Sequence, residues 1–392
     1  MRLGKFVRLV LAVGVSIPIA LLAGAQAASS VLTKTDPALA ATVFPANGTA
    51  LANVAFAEYI SSIVDPSAPP PPNAEAIRLA REALRKEPLS PKAYVVLAQA
   101  EKDPARRRVL IEGASRLNRR DLALQGLVLQ EHLADQDYPA TIDTLDQILR
   151  VHPKHSQEFF PLLATALTNE STIPIFSNLL DGSSPWHERF LDYAVASPEV
   201  VPNLARLRPG LAIGGEDFDR RLIAALFKRG DIDSAAAIYA KVAGNKVGLG
   251  TSELVDWRSK YPPFDWQLAD RAEFRAQLSR DGKELEIYVK PGQGGIIASR
   301  VFAAPKGPLN FEIQHSLAPA AQIEDVRFQL GCIGHTDVLV DQRLKSGVNR
   351  VSSGVLPGDC RYLVMGFDAR AWSGKAPLSG SILSIKAQSL AD

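Results

Sequence analysis

The chain has 392 residues, of which 46% are hydrophobic and 22% charged, which is typical of a globular protein and too long for one ordinary core. Its formal charge of +2 includes three cations near the N-terminus, Arg2, Lys5 and Arg8, which leaves −1 for the rest of the chain. A nearly neutral body argues against nucleic acid as a partner. We therefore expect two or three domains and no nucleic-acid binding.

The first residues have the pattern of an export signal. The three cations precede an uncharged apolar run from Leu9 to Ala25, and the small residues of Ala25–Gln26–Ala27 fit a signal peptidase site. Residues 1–28 are therefore predicted to be a signal peptide or a membrane anchor, and the protein to work in the periplasm. The run is at the short limit for a membrane-spanning helix, so release after cleavage and retention on the inner membrane both remain open.

The apolar pattern changes its period near Trp257. Upstream, apolar residues recur at helical spacing, whereas downstream they alternate in short runs as strands do. The sequence thus predicts an α + β multidomain protein, with a helical domain over residues 29–255 and an antiparallel β-sandwich over residues 260–392.

Small and apolar side chains in the helical half recur in a common frame that ends at a proline. The frame comprises two copies, each continued into the next apolar face: Ala76, Ala80, Ala83, Pro88, Tyr94 and Leu97, and Thr141, Leu145, Ile148, Pro153, Phe159 and Leu162. The two prolines are 65 residues apart, close to twice the period of about 34 residues found in one repeat class. A proline-rich segment, residues 65–73, is predicted to be an insertion between two helices of one unit.

This frame resembles the tetratricopeptide repeat (TPR). The resemblance implies a solenoid of antiparallel helix pairs whose concave surface binds peptides or other envelope proteins. A non-repetitive helical bundle with the same period is the alternative. Residues 165–215 show no clear register, and their prolines and glycines predict short helices.

Eight short runs at even spacing predict the strands of the sandwich, in an arrangement like a jelly roll. They are Glu284–Lys290, Gly295–Ala304, Leu309–Leu317, Val326–Ile333, Val338–Leu344, Asn349–Leu356, Cys360–Phe367 and Ser379–Ala387. The turns between them are rich in glycine, proline and lysine.

The only two cysteines, Cys332 and Cys360, both lie in the β half. In an exported protein such a pair is most simply a disulfide, which would close a loop of about 28 residues and stabilise the domain by about 3 kcal/mol. The alternative is that Cys332 and His335 form half of a metal or redox site, but a metal site needs more ligands than these two. We predict a disulfide, no metal and no cofactor.

The β half resembles the carbohydrate-binding modules of the jelly-roll type, on the strength of its strand count, Trp266 at its entry and its closing strand Ser379–Lys386. In such domains exposed aromatic rings stack on sugar faces while polar side chains hold hydroxyl groups. The resemblance implies five candidate glycan contacts: Trp372, Tyr362, Arg370, Asp368 and Tyr288.

No motif in the chain indicates a particular catalysed reaction. It contains no Gly-x-Ser-x-Gly, no Walker-type loop and no His-Glu-x-x-His, so no catalytic residue is predicted. We predict a non-enzymatic envelope scaffold or binding protein, whose helical half binds other proteins and whose sandwich binds polysaccharide during its assembly or export. One rival is a glycan-active or cell-wall enzyme, which would need paired carboxylates or a catalytic acid in a deep cleft. Another is a purely structural sandwich that caps the helical array.

Overall fold

The computed structural model describes the backbone of residues 2–65, 69–244, 247–248 and 255–389, and the side chains of these residues from residue 14 onward. Contacts between Cα atoms divide the chain into two compact units, Met1–Ala166 and Leu167–Asp392, which we call unit 1 and unit 2.

The described part of unit 1 is helical. Its helices are α1 (Arg2–Leu32), α2 (Pro37–Val43), α3 (Gly48–Ser61), α4 (Ala74–Lys86), α5 (Pro91–Ala100), α6 (Pro104–Leu117), α7 (Leu122–Ala134), α8 (Tyr138–Val151) and α9 (Ser156–Leu167). Asx side chains begin most of them, because a carboxylate or amide oxygen accepts a hydrogen bond from the first turn, as Asp121 does from Leu124 N at 3.0 Å. Within α1, the stretch Gly14–Leu32 is long and apolar enough to cross a membrane, a property that signal sequences share.

Small residues let the helices of unit 1 approach closely where the repeat frame predicts it. Ala76, Ala80 and Ala83 of α4 are fully buried, and α4 packs on α3 across the proline-rich insertion. Helix α3 also contacts α5, and α5 contacts α7. The small-residue packing at α4 is thus observed, whereas a repeat solenoid is not established and stays a prediction.

Unit 2 begins with three short helices, α10 (Ile173–Leu179), α11 (Trp186–Ala194) and α12 (Val201–Leu207), followed by the longer α13 (Glu216–Lys228) and α14 (Ile232–Ala243). The prediction of short helices between residues 165 and 215 is confirmed. Because α10 to α14 share unit 2 with the strands, the contacts divide the chain upstream of the change in apolar period. The domain bounds 29–255 and 260–392 remain predictions.

The strands of unit 2 form two antiparallel sheets. They are β1 (Gln267–Leu268), β2 (Asp270–Arg271), β3 (Phe274–Leu278), β4 (Leu285–Val289), β5 (Gly294–Ala303), β6 (Leu309–His315), β7 (Val326–Cys332), β8 (Val338–Arg343), β9 (Val348–Ser352), β10 (Tyr362–Arg370) and β11 (Leu378–Ser389). A short helix, α15 (Ala320–Ile323), lies between β6 and β7. All eight of these predicted strands are present, and β1 to β3 precede them.

The strand order is that of a jelly roll. One sheet has the order β1-β5-β10-β7-β8 and the other β2-β3-β4-β11-β6-β9. When β4 to β11 are renumbered 1 to 8, their order is 1-8-3-6 in the six-stranded sheet and 2-7-4-5 in the five-stranded sheet. The sheets share one hydrophobic core, in which the ring centroids of Phe311 and Phe328 are 5.0 Å apart.

The predicted disulfide is present. Cys332 at the end of β7 and Cys360 just before β10 are joined, with an S–S distance of 2.02 Å. Neither sulfur is therefore available as a thiolate ligand, and His335 instead lies 3.3 Å from the Asp359 carboxylate.

Candidate functional site

One end of the sandwich presents an exposed tryptophan, Trp372, in the loop after β10. Its side chain is 48% exposed, whereas Trp186, Trp257 and Trp266 are buried. Burial of Trp266 confirms that it belongs to the core, where its ring centroid lies 4.9 Å from that of Trp257. Trp372 is therefore the one tryptophan that a ligand can reach from solvent.

The Trp372 side chain is held in place by residues of the loop between β6 and β7. Its indole Nε1 donates a hydrogen bond to Asp325 Oδ2 at 2.8 Å, and its backbone N–H donates to Gln322 Oε1 at 2.9 Å. Gln322 lies in α15, is fully buried, and donates its own amide hydrogen to the carbonyl of Ala376. The ring is therefore oriented before any ligand arrives, which lowers the entropy cost of binding.

Arg370, the last residue of β10, lies over the same ring. Its guanidinium carbon is 5.4 Å from the Trp372 ring centroid, within the range of a cation–π contact. Its side chain crosses Gly294, where an added Cβ would lie 2.9 Å from Arg370 Nε. A glycine at 294 thus allows Arg370 to approach the indole.

A third loop, the turn between β4 and β5, supports the Trp372 loop from the other side. Gly292 N–H donates to the Ala371 carbonyl at 2.6 Å, and Ala371 N–H donates to the Gln293 carbonyl at 3.0 Å. Gly292 has φ +88°, so its backbone is in the left-handed region that favours glycine. Three loops therefore converge around one exposed aromatic ring.

The five predicted glycan contacts do not form one site. Trp372 and Arg370 lie together. Asp368 is two residues before Arg370 on the outer face of β10, where it is paired in register with Arg327 of β7. Tyr288 lies in β4 of the other sheet, where the Arg275 guanidinium carbon is 5.5 Å from its ring centroid.

Tyr362 lies at the far end of β10 from Trp372 and contacts a helix. Its hydroxyl donates to Asp233 Oδ1 at 2.9 Å, and Arg361 donates to both oxygens of the same carboxylate at 2.6 and 2.7 Å. Asp233 belongs to α14, so these contacts join the sandwich to the helices of unit 2. Burial, together with the bond to Asp233, raises the pKa of Tyr362 to about 12.

A polar groove of about 430 Å³ runs along the outer face of the six-stranded sheet. Its only carboxylate, Glu312, lies 3.1 Å from Arg350 Nε and 3.6 Å from Lys386 Nζ. A second groove, of about 570 Å³, follows α4, and its only carboxylate, Glu82, is paired with Arg78 and Lys86. Neither groove brings together the two carboxylates that glycoside hydrolysis commonly uses.

Other charged clusters of the chain have structural contacts. Arg107 and Arg108 form ion pairs with Glu131 at 2.8 and 3.6 Å, as on a solvated helix face. Asp231 caps α14 by accepting from Ser234 N–H. No group of three or more His, Cys, Asp or Glu side chains in the described part of the chain could hold a metal ion.

No known protein family matches the chain, and no curated protein matches it significantly. Solved structures that match include the accessory secretory proteins 1, 2 and 3 of Streptococcus pneumoniae, with 9% identity and a TM-score of 0.25 over 36% of this chain and 98% of that chain. The carbohydrate-binding module TmCBM61, solved in complex with β-1,4-galactotriose, matches with 8% identity and a TM-score of 0.24 over 34% of this chain and 98% of that chain. At such TM-scores neither likeness carries an argument about this protein. Its own fold defines its class, a helical protein with a C-terminal two-sheet β domain.

Sequence reasoning missed the residues that position Trp372. Asp325 and Gln322 are 47 and 50 positions away from it, and neither lies in a recognisable motif. Trp372 itself could be found because a tryptophan among Asp, Arg, Ser, Gly and Lys is unusual for a core position.

Proposed function

We propose that this protein is a non-enzymatic component of the cell envelope that binds polysaccharide through the loop end of its β-sandwich. The observation that carries the proposal is the exposed, pre-oriented indole of Trp372. An aromatic ring presents an apolar face that matches the C–H face of a pyranose ring, and its fixed orientation avoids loss of side-chain entropy on binding.

Arg370 and Trp372 have complementary roles in this proposal. The Arg370 guanidinium lies over the indole ring, and the sugar ring is proposed to stack on the solvent-exposed part of that indole. Its N–H groups also donate hydrogen bonds, which suit hydroxyl or carboxylate oxygens of a saccharide. Asp325 is a positioning residue, because its carboxylate accepts the indole N–H and does not need to contact the ligand.

The helical part is proposed to bind other envelope proteins. Support comes from the small-residue packing of α3, α4 and α5, which is the packing that the TPR resemblance implies. The TPR-like array, the periplasmic location and the role in polysaccharide assembly or export all belong to the proposal. The absence of an enzymatic role is likewise proposed, supported by the pairing of Glu82 and Glu312 in their grooves.

Retention of the full chain on immobilised polysaccharides tests the proposal. The panel should contain neutral and uronic-acid polymers, because Arg370 can donate to either. We expect Trp372→Ala to weaken retention about tenfold, since aromatic stacking contributes about 0.5–1.5 kcal/mol beyond area burial. Trp372→Phe should retain part of the affinity.

Tyr288→Ala is the matched control, because Tyr288 is an aromatic residue on the other sheet with its own arginine contact. It should bind as the unaltered chain does. Equal binding by Trp372→Ala and the unaltered chain would refute the site, and failure of the unaltered chain to bind any polymer would refute the glycan role.

A further inference from the structure

Helix α1 passes through the predicted cleavage site without interruption. It runs from Arg2 to Leu32, so Ala25–Gln26–Ala27 lies inside it. Residues 14–28 are exposed on all sides of the helix apart from half-buried Ala25. Because the described part of the chain does not cover these apolar side chains, they require an apolar environment that is not protein.

The environment of α1 changes abruptly at Ser29. This side chain is fully buried, and its hydroxyl donates to the Ala40 carbonyl of α2 at 2.7 Å. Asn47, the N-cap of α3, donates its amide hydrogens to Ser29 Oγ at 2.8 Å and to Thr33 Oγ1 at 2.9 Å. Asn53 donates to the Thr33 carbonyl at 3.0 Å. The last turn of α1 is therefore part of the hydrogen-bonded structure of unit 1.

The length of the uncharged run fits a bilayer. Leu9–Ala28 contains 20 uncharged residues. At about 1.5 Å per residue they make about 30 Å of helix, which is about the thickness of the hydrocarbon core. The apolar span ends at the residue before Ser29, the first buried side chain among those described, so no flexible linker separates it from the rest of unit 1.

Helix α2 turns back along α1 toward the end of the apolar span. Only residues 33–36 separate the two helices, and the bond between Ser29 and Ala40 fixes their alignment. On α2, Leu39 and Val43 are one turn apart and remain 46% and 38% exposed. Val43 is one turn beyond Ala40 and so lies at the level of Ala25 and Gln26.

We propose that α1 is retained as an uncleaved transmembrane anchor and that the rest of unit 1 rests directly on the phospholipid surface, with Leu39 in the headgroup region and Val43 at the edge of the hydrocarbon core. Cleavage after Ala27 would leave a helical stub of five residues with a charged α-amino group at its start, where the helix dipole disfavours a cation. This inference does not depend on glycan binding.

The first arm of the test is the intact mass of the full chain, produced in a bacterium with inner and outer membranes and extracted with alkaline carbonate. We expect a protein of 42.3 kDa that stays in the membrane pellet. A soluble periplasmic protein whose mass lacks residues 1–27 would overturn the anchor.

The second arm reports on α2. Both natural cysteines are in the disulfide, so Val43→Cys gives a single labelling site. In vesicles of phosphatidylethanolamine and phosphatidylglycerol, a polarity-sensitive fluorophore at position 43 should emit at shorter wavelength than the same label on Leu133→Cys, an apolar position on α7 that is 41% exposed against 38% for Val43. Equal, water-like emission at the two positions would overturn the seating of α2 on the membrane.

Discussion

At the scale of single residues, the hydrogen bond between Asp325 and Trp372 separates a binding residue from a positioning residue. The indole N–H donates to Asp325 Oδ2 at 2.8 Å on the surface of the sandwich. Asp325→Ala would release the ring without removing it. We expect weaker polysaccharide retention than in the unaltered chain but stronger retention than in Trp372→Ala, because the released ring must be ordered again on binding at a cost of about 0.5–1.5 kcal/mol.

Fluorescence anisotropy gives this prediction a readout independent of binding. Trp372 is the exposed tryptophan, so Asp325→Ala should lower the steady-state anisotropy of the chain, and Asp325→Asn, whose amide oxygen still accepts a hydrogen bond, should restore it. Unchanged anisotropy in Asp325→Ala would show that Asp325 does not orient the ring.

A second residue-scale prediction concerns alkaline pH. Tyr239 is buried, its hydroxyl donates to Asp265 Oδ1 at 2.9 Å, and burial, followed by the Asp265 charge, raises its pKa to about 12. Because the folded protein holds the tyrosine neutral, the associated stability is complete below pH 10, the ordinary pKa of tyrosine, and is lost as the pH rises toward 12. Two pKa units correspond to about 3 kcal/mol.

Tyr239→Phe should therefore reduce the loss of stability between pH 10 and pH 12 by about 1.4 kcal/mol per pH unit. It should also lower stability at neutral pH by about 1–3 kcal/mol, since buried Asp265 loses a donor. Urea denaturation at each pH measures both effects, with Tyr193→Phe, at an exposed position of α11, as the control. An unchanged pH dependence would contradict the assignment of the alkaline transition to Tyr239.

At the scale of elements, α14 and β10 are joined by Asp233. Its carboxylate accepts from both Arg361 and Tyr362, yet Arg361 and Asp233 are 71% and 53% exposed. Exposed ion pairs contribute only about 0.2–1 kcal/mol, so a double-mutant cycle of Asp233→Ala and Arg361→Ala should give a coupling energy in that range that falls with added salt. Strictly additive effects would mean that the contact does not stabilise the docking. Asp217→Ala, which removes another exposed carboxylate of unit 2, is the control.

Whether an element could be predicted depends on how many residues carry its hydrophobic pattern. Strands β4 to β11 could be predicted, because alternation such as that of Phe311 and Ile313 is a local pattern. Strands β1 and β2 have two residues each, too few for a period to be visible. Tyr362 is a candidate glycan contact through the resemblance to carbohydrate-binding modules, and an aromatic residue in a strand does not reveal which helix lies opposite. Its hydroxyl donates to Asp233, 129 positions earlier.

At the scale of the whole molecule, the disulfide and the N-terminal helix fit a protein that leaves the cytoplasm. The bond between Cys332 and Cys360 was predictable from composition alone, since an even pair within one small exported domain has one simple arrangement. The packing of the last turn of α1 against the following helices was not predictable, because it depends on Asn47 and Asn53, whose side chains reach back 14 to 20 residues. Hydrogen bonds of this kind leave no periodic trace in the sequence.

The central claim is that a saccharide stacks on Trp372, and tryptophan fluorescence tests it directly. Three of the four tryptophans are buried, so quenching by acrylamide reports mainly on Trp372. With a polysaccharide that the chain retains, we expect the quenching constant to fall toward that of Trp372→Phe, whose own quenching should not change. An unchanged quenching constant while the polysaccharide is bound would contradict the claim.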